Sequence, residues 1–159
     1  MSTPTSLARH PIHPILVALP IGLWVFSVVA DLVFQVRWGA AVWKDVAFYT
    51  LGGGIVGALL AAVPGFIDFF SITDARAGRV ALTHMAANLI ALTIFVVSFW
   101  LRWIDVVGFL PAGLSIVALG ALAVAGWYGG ELVFVHGMGV KPPKEASRSH
   151  ASGSQRRIA

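Results

Sequence analysis

The 159-residue chain contains no cysteine and very little charge. The first absence excludes disulfides, cysteine-ligated iron–sulfur clusters and covalently attached c-type haem, so redox chemistry would need a cofactor held without covalent attachment. The second absence speaks about the solvent. Charged residues make up 11% of the chain and hydrophobic ones 58%, whereas a soluble domain carries about 25% charged residues. The few charges cluster between long apolar runs instead of recurring at helical intervals, so no charged shell is available to face water. Also missing are a nucleophile elbow, a phosphate-binding glycine loop and an HExxH pair, so hydrolytic or transferase chemistry is not expected.

What is present are four runs that reach the roughly 20 apolar residues needed to cross a hydrocarbon core about 30 Å thick. They are Ile12 to Val36, Val46 to Ile72, Val80 to Trp103 and Val106 to Val135. Arg37 and Lys44, then Asp74, Arg76 and Arg79, then Arg102 and Asp105 separate them. Turns this short make neighbouring helices antiparallel. The expected fold is all-α, an integral membrane four-helix bundle of up-down-up-down topology occupying residues 1–140. Residues 141–159, rich in Lys, Pro, Ser, Gly and Arg, read as a disordered basic tail. Arg9 before an apolar run, with Val28-Val29-Ala30 behind it, faintly resembles a cleaved signal peptide. The run is longer than a typical signal core of about 7 to 15 residues, so the first span is expected to stay.

Basic residues set the expected orientation. Arg9, Arg76, Arg79, Lys141, Lys144, Arg148, Arg156 and Arg157 fall on one side, and Arg37, Lys44 and Arg102 on the other. The richer side is cytoplasmic by the positive-inside rule, which puts both termini there, and Trp38, Trp43, Trp100 and Trp103 belong to the opposite headgroup layer. The net charge of +4 owes much to the tail, which reads as a membrane-side basic segment and not as a nucleic-acid site.

Small residues recur at helical spacing in the second span, at Gly53, Gly57, Ala61 and Gly65, with Gly54, Ala58 and Ala62 beside them. Close helix packing is the expected use. Gly120, Gly126, Gly129 and Gly130 of the fourth span suit either packing or the approach of a flat cofactor. Pro20 and Pro64 are expected to kink their helices.

The histidines are the informative residues. His10 and His13 open the first span, His84 lies early in the third and His136 closes the fourth. Counted from the nearest boundary charge, His13, His84 and His136 all lie about 6 to 8 Å deep at about 1.5 Å per residue. The first and third helices of such a bundle are parallel and diagonal, so His13 and His84 are expected to face each other. Asp68 and Glu131 join the same layer, and Asn88 lies one turn deeper than His84. Ionisable groups inside a membrane are costly and mark function more often than packing. The bland alternatives are an interfacial helix start for His10 and His13, local hydrogen bonds for His84, and polar glue between helices for Asn88. Asp31, about 27 Å further along its helix than His13, is expected at the other face, as an interfacial cap or the partner of Arg37.

The segments His10-Pro-Ile-His-Pro-Ile-Leu-Val-Ala-Leu-Pro-Ile-Gly and Ala61-Ala-Val-Pro-Gly-Phe-Ile-Asp68, His84 with Asn88, and Gly129-Gly-Glu-Leu-Val-Phe-Val-His-Gly-Met-Gly-Val140 together resemble the bacterial membrane family called domain of unknown function 2231. The resemblance spans roughly residues 9 to 140. It implies a four-span protein of a bacterial inner membrane with unsettled activity. Fusion of some relatives to Rieske-type iron–sulfur domains hints at electron transfer, although this chain has no such domain.

Three functional readings follow. In the first, the chain is a b-type haem electron-transfer protein with a redox partner. His13 and His84 are its axial ligands, His136 is a substitute for either, and Asp68 or Glu131 orients their far nitrogens. In the second, the chain is a binding or transport module for a divalent transition metal held by His13, His84 and His136. In the third, it is a structural or partner-holding protein of the lipid bilayer without a cofactor, whose histidines only satisfy local hydrogen bonds; a homo-oligomer is compatible with any of the three.

Overall fold

The computed structural model describes residues 4–7, 10–36, 41–106 and 108–140. Arg9, Arg37, Trp38 and the expected disordered tail at 141–159 lie outside the described residues. A minimal antiparallel pair, β1 (Ser6–Leu7) with β2 (His10–Pro11), precedes the helices. The first span is split into α1 (Ile12–Leu16) and α2 (Ala18–Gln35). Pro20 explains the split, because it has no N–H for the carbonyl of Leu16 and its ring crowds that group. Then follow α3 (Val42–Phe70), α4 (Ala75–Trp103) and α5 (Leu110–Phe134). The four spans are 24, 29, 29 and 25 residues long, each sufficient to cross a bilayer.

Two helices start earlier than their apolar runs. Asp74 caps α4 by accepting from Arg76 N at 3.0 Å and Ala77 N at 2.7 Å, which lets the helix begin well before Val80. In α3 the first turn carries Lys44 and Asp45, with Asp45 favoured by the positive helix end. The fourth span starts later, at Leu110 with Pro111 in its first turn, where a missing N–H costs nothing.

α2 packs chiefly on α3, and α4 chiefly on α5. The two hairpins then meet through thinner α3–α4 and α2–α5 seams. α2 and α4 are therefore diagonal and parallel. Outward faces are apolar, with Phe134 and Trp127 89% and 78% exposed, which a bilayer would cover. Inside, Trp24 stacks on Phe95 with ring centroids 4.1 Å apart, against Leu51 and Ala118. Small residues of α3 admit this approach: Gly57 meets the Pro20 ring, and any side chain at Gly54 would collide with the Trp24 indole.

At the end remote from the termini, Asp31 and Arg102 form a two-pronged ion pair at 2.6 and 2.7 Å. The Arg102 and Asp31 side chains are only 8% and 9% exposed. Arg102 also donates to Ser115 at 3.2 Å, and Ser98 donates to the Pro111 carbonyl at 2.7 Å. Asp31 does lie at the other face; Arg37, its expected partner, lies outside the described residues. Both its oxygens are taken by an arginine across the bundle, a contact that separation along one helix does not reveal.

Candidate functional site

His13 leaves α1 toward α3, where its Nδ1 donates to the Ala61 carbonyl at 2.8 Å. His84 leaves α4 toward α5, where its Nδ1 donates to the Ala125 carbonyl, also at 2.8 Å. A carbonyl can only accept, so in each ring Nδ1 holds the proton and Nε2 holds a lone pair. One helical turn beyond each accepting alanine is a glycine. A Cβ at Gly65 would come within 2.8 Å of the His13 ring, and one at Gly129 within 3.0 Å of the His84 ring. Both imidazoles thus lie in a notch that only glycine leaves open.

The two rings stand 6.4 Å apart, centroid to centroid, and at 90° to each other. Asn88 donates its Nδ2 to the His84 carbonyl at 2.8 Å and lies 3.2 Å from His84 Nε2. The same Nδ2 lies 3.5 Å from His84 Nδ1, so the amide rests against the ring and not on the outward axis of the Nε2 lone pair. Around the pair is a cavity of about 530 Å³. Ala58, Ala62, Gly126, Gly129 and Gly130 give it flat walls, and Trp24 and Leu92 line it deeper in the bundle. The indole Nε1 of Trp24 is buried and has no hydrogen-bond partner among the described residues.

Asp68 lies at the mouth, 8% exposed, with Pro11, Ile72, Met138 and Gly139. Its Oδ1 accepts from Thr5 N at 3.1 Å and Thr5 Oγ1 at 2.6 Å. The carboxylate therefore ties the amino-terminal segment over the cavity. Sequence reasoning missed Thr5, because a threonine far along the chain from its partner, outside any span, carries no local signal.

The remaining expected site residues, His10, Glu131 and His136, do not line the cavity. His10 is exposed in β2, opposite Leu7. Glu131 is not among the residues that line the cavity: Gly126, Gly129, Gly130 and Val133 do so at helical spacing, and Glu131 lies off that stripe. His136 rides on the turn that ends α5, where Gly137 adopts φ +64°. It is near enough to Asp74 for its charge to help hold that carboxyl below the ordinary range, behind the larger effect of the Ala77 N–H. Among the described residues, no group of three or more His, Cys, Asp or Glu is placed to hold a metal ion.

A family model described as predicted membrane protein (DUF2231) matches residues 9–142, and the chain belongs to this family. No curated protein and no solved structure matches it.

Proposed function

Starting from a membrane family without an assigned activity, we propose that this protein is a b-type haem protein in which His13 and His84 would hold the haem. The observation that carries the reading is the pair of imidazoles, each fixed by its Nδ1–H on a backbone carbonyl, with ring centroids 6.4 Å apart. Two imidazoles sharing one metal at about 2 Å each have ring centres about 6 Å apart. A backbone bond at the far nitrogen is also the usual way a protein orients a ligating histidine. The donor set fits haem better than a bare ion. A zinc-type site takes three or four protein ligands, whereas a haem iron needs only axial ones. Asp68, the carboxylate at the mouth, is engaged by Thr5.

The cavity also fits, since about 530 Å³ lies within the range of roughly 300 to 1,000 Å³ of ordinary cofactor sites. Bound there, haem would supply one-electron chemistry. The chain's own residues fix the imidazoles and tie the amino-terminal segment to Asp68 at the cavity rim through Thr5. The uneven distribution of Lys and Arg supports a cytoplasmic mouth in a bacterial inner membrane, with a redox partner reached from that side.

Absorption spectroscopy and cofactor extraction on detergent-purified protein test the reading. A Soret band of low-spin character is expected, lost in His84→Ala while the four spans remain inserted. Wild-type protein that takes up no haemin overturns it. A reporter fused after Ala159 that is active only in the periplasm reverses the orientation.

A further inference from the structure

Several contacts described above occur twice. The interval from Asp31 to Arg102 is 71 residues, and the same interval separates His13 from His84, Trp24 from Phe95 and Ser27 from Ser98. Each of these is paired across the bundle or bonded in the same way as its counterpart. His13 faces His84, Trp24 stacks on Phe95, and Asp31 grips Arg102. Ser27 donates to the Ala47 carbonyl at 2.8 Å, and Ser98 to the Pro111 carbonyl at 2.7 Å.

The accepting helices repeat as well, at a slightly shorter interval of their own. Pro111 follows Ala47, Ala125 follows Ala61 and Gly129 follows Gly65 by one and the same offset. At this offset buried positions also coincide: Leu51 with Ser115, and Gly54 with Ala118. The difference between the two intervals is absorbed between the helices of each hairpin. Chance periodicity of one helix does not reproduce hydrogen bonds, stacked rings and glycine notches on two pairs of helices at once.

We propose that the chain is two copies of one helical hairpin, α1–α3 and α4–α5, related by a pseudo-two-fold axis along the membrane normal. The face that each hairpin turns to the axis is an interaction surface whose partner is the other copy. On such an axis equivalent residues face one another, so a true duplicate would bring together two carboxylates or two guanidinium groups, buried and repelling. The layer of Asp31 and Arg102 breaks the symmetry in the one way that removes this repulsion. The break extends to the neighbouring position. Ser115, which accepts from Arg102, stands where the first hairpin has Leu51, opposite no guanidinium. This layer therefore assigns each hairpin its place, while the histidine layer repeats its imidazoles, accepting alanines and glycines and differs at Asn88, whose counterpart is Val17.

The test exchanges equivalent residues in the full chain and reads folded, monodisperse protein in detergent, without any added cofactor. Asp31→Arg alone and Arg102→Asp alone are each expected to reduce the folded yield about tenfold or more, since each leaves like charges buried together. The double exchange should recover part of this. Adding Leu51→Ser with Ser115→Leu should bring the yield to within about twofold of wild type, because the arginine at position 31 then finds its hydroxyl. Trp24→Phe with Phe95→Trp should be tolerated once Gly54→Ala and Ala118→Gly move the notch along with the indole. A four-residue charge and hydroxyl exchange no better than the charge exchange alone overturns the two-fold equivalence, as does a Trp–Phe exchange that carries its notch and is still as damaging as the single charge reversals. Both outcomes are read independently of haem, so failure of the haem reading leaves this test standing.

Discussion

The two ends of the bundle both hold polar groups in a hydrophobic surrounding, and they use them in opposite ways. At the far end, Asp31, Arg102, Ser98 and Ser115 satisfy one another, so that among the described residues none of these side chains is left without a partner. At the end near the termini, His13 and His84 are each anchored to the backbone through one nitrogen, and they stand beside a cavity with only the Asn88 amide near a second nitrogen. A buried polar group with all its partners in the chain is a lock. One that keeps a lone pair beside open space is a site, and the contrast separates the two uses without reference to relatives.

Breaking the lock should have the largest effect. Arg102→Ala leaves the Asp31 carboxylate buried without its partner, which costs about 3 to 5 kcal/mol. Thermal unfolding in detergent is expected to show most of the fold lost. A variant as stable as wild type would mean that the pair locks nothing.

Crowding the site should come next. Gly65→Ala and Gly129→Ala each push a methyl group into an imidazole, an overpacking worth about 1 to 3 kcal/mol, and should also displace the ring from its carbonyl. Haemin uptake is expected to fall in both. Gly120→Ala, on an open face with no neighbour within 4 Å, should change neither stability nor uptake. Equal behaviour of all three would remove the notches from the argument.

Emptying the site sharpens the contrast further. His84→Ala deletes one buried polar contact, worth about 1 kcal/mol in a membrane bundle, so the spans should remain while the cofactor is lost. By the equivalence of the two halves, His13→Ala should reduce haem content by a similar factor. A large difference between the two variants would show that one histidine alone carries the ligand.

How far this was legible in the sequence differs between the two ends. Four spans follow from apolar run length, and their ends are displaced where a cap or an early charged turn extends a helix, as Asp74 does for α4. His13 and His84 could be set face to face because equal depth and parallel diagonal helices constrain them in one dimension. Rotation about the helix axis is the second dimension, and it takes Glu131 off the cavity stripe, whereas His136 falls beyond the end of α5, on its closing turn. For Glu131 the signal was present, since Gly126, Gly129 and Gly130 share a stripe that excludes it. Asp31 needed a partner from another hairpin, and its strongest sequence signal was the interval to Arg102, repeated by three other pairs. Thr5 on Asp68 had no comparable signal.

The smallest effects belong to the mouth and the turn beside it. Thr5→Val removes one hydrogen bond to Asp68 while keeping the backbone one, a change of about 1 kcal/mol. It should speed haemin exchange more than it lowers the unfolding temperature. An unchanged exchange rate would show that the amino-terminal segment does not close the cavity.

Asp74 gives the least change, and its effect depends on pH. The Ala77 N–H, then Arg76 N–H and the charges of His136 and Arg76, hold its carboxyl below the ordinary range, against an opposing cost of burial. A depressed value means that the folded protein prefers the ionised form. The contribution to stability is therefore fully present above the carboxyl's unfolded pKa and is lost as pH falls through the lower, folded one. Asp74→Ala should lower the unfolding temperature slightly at neutral pH and leave it closer to wild type in acid. Asp74→Asn, which keeps an oxygen for the helix start, should lie between the two at neutral pH. A difference between wild type and Asp74→Ala that stays constant into acid would assign the cap to geometry alone and remove the charge from it.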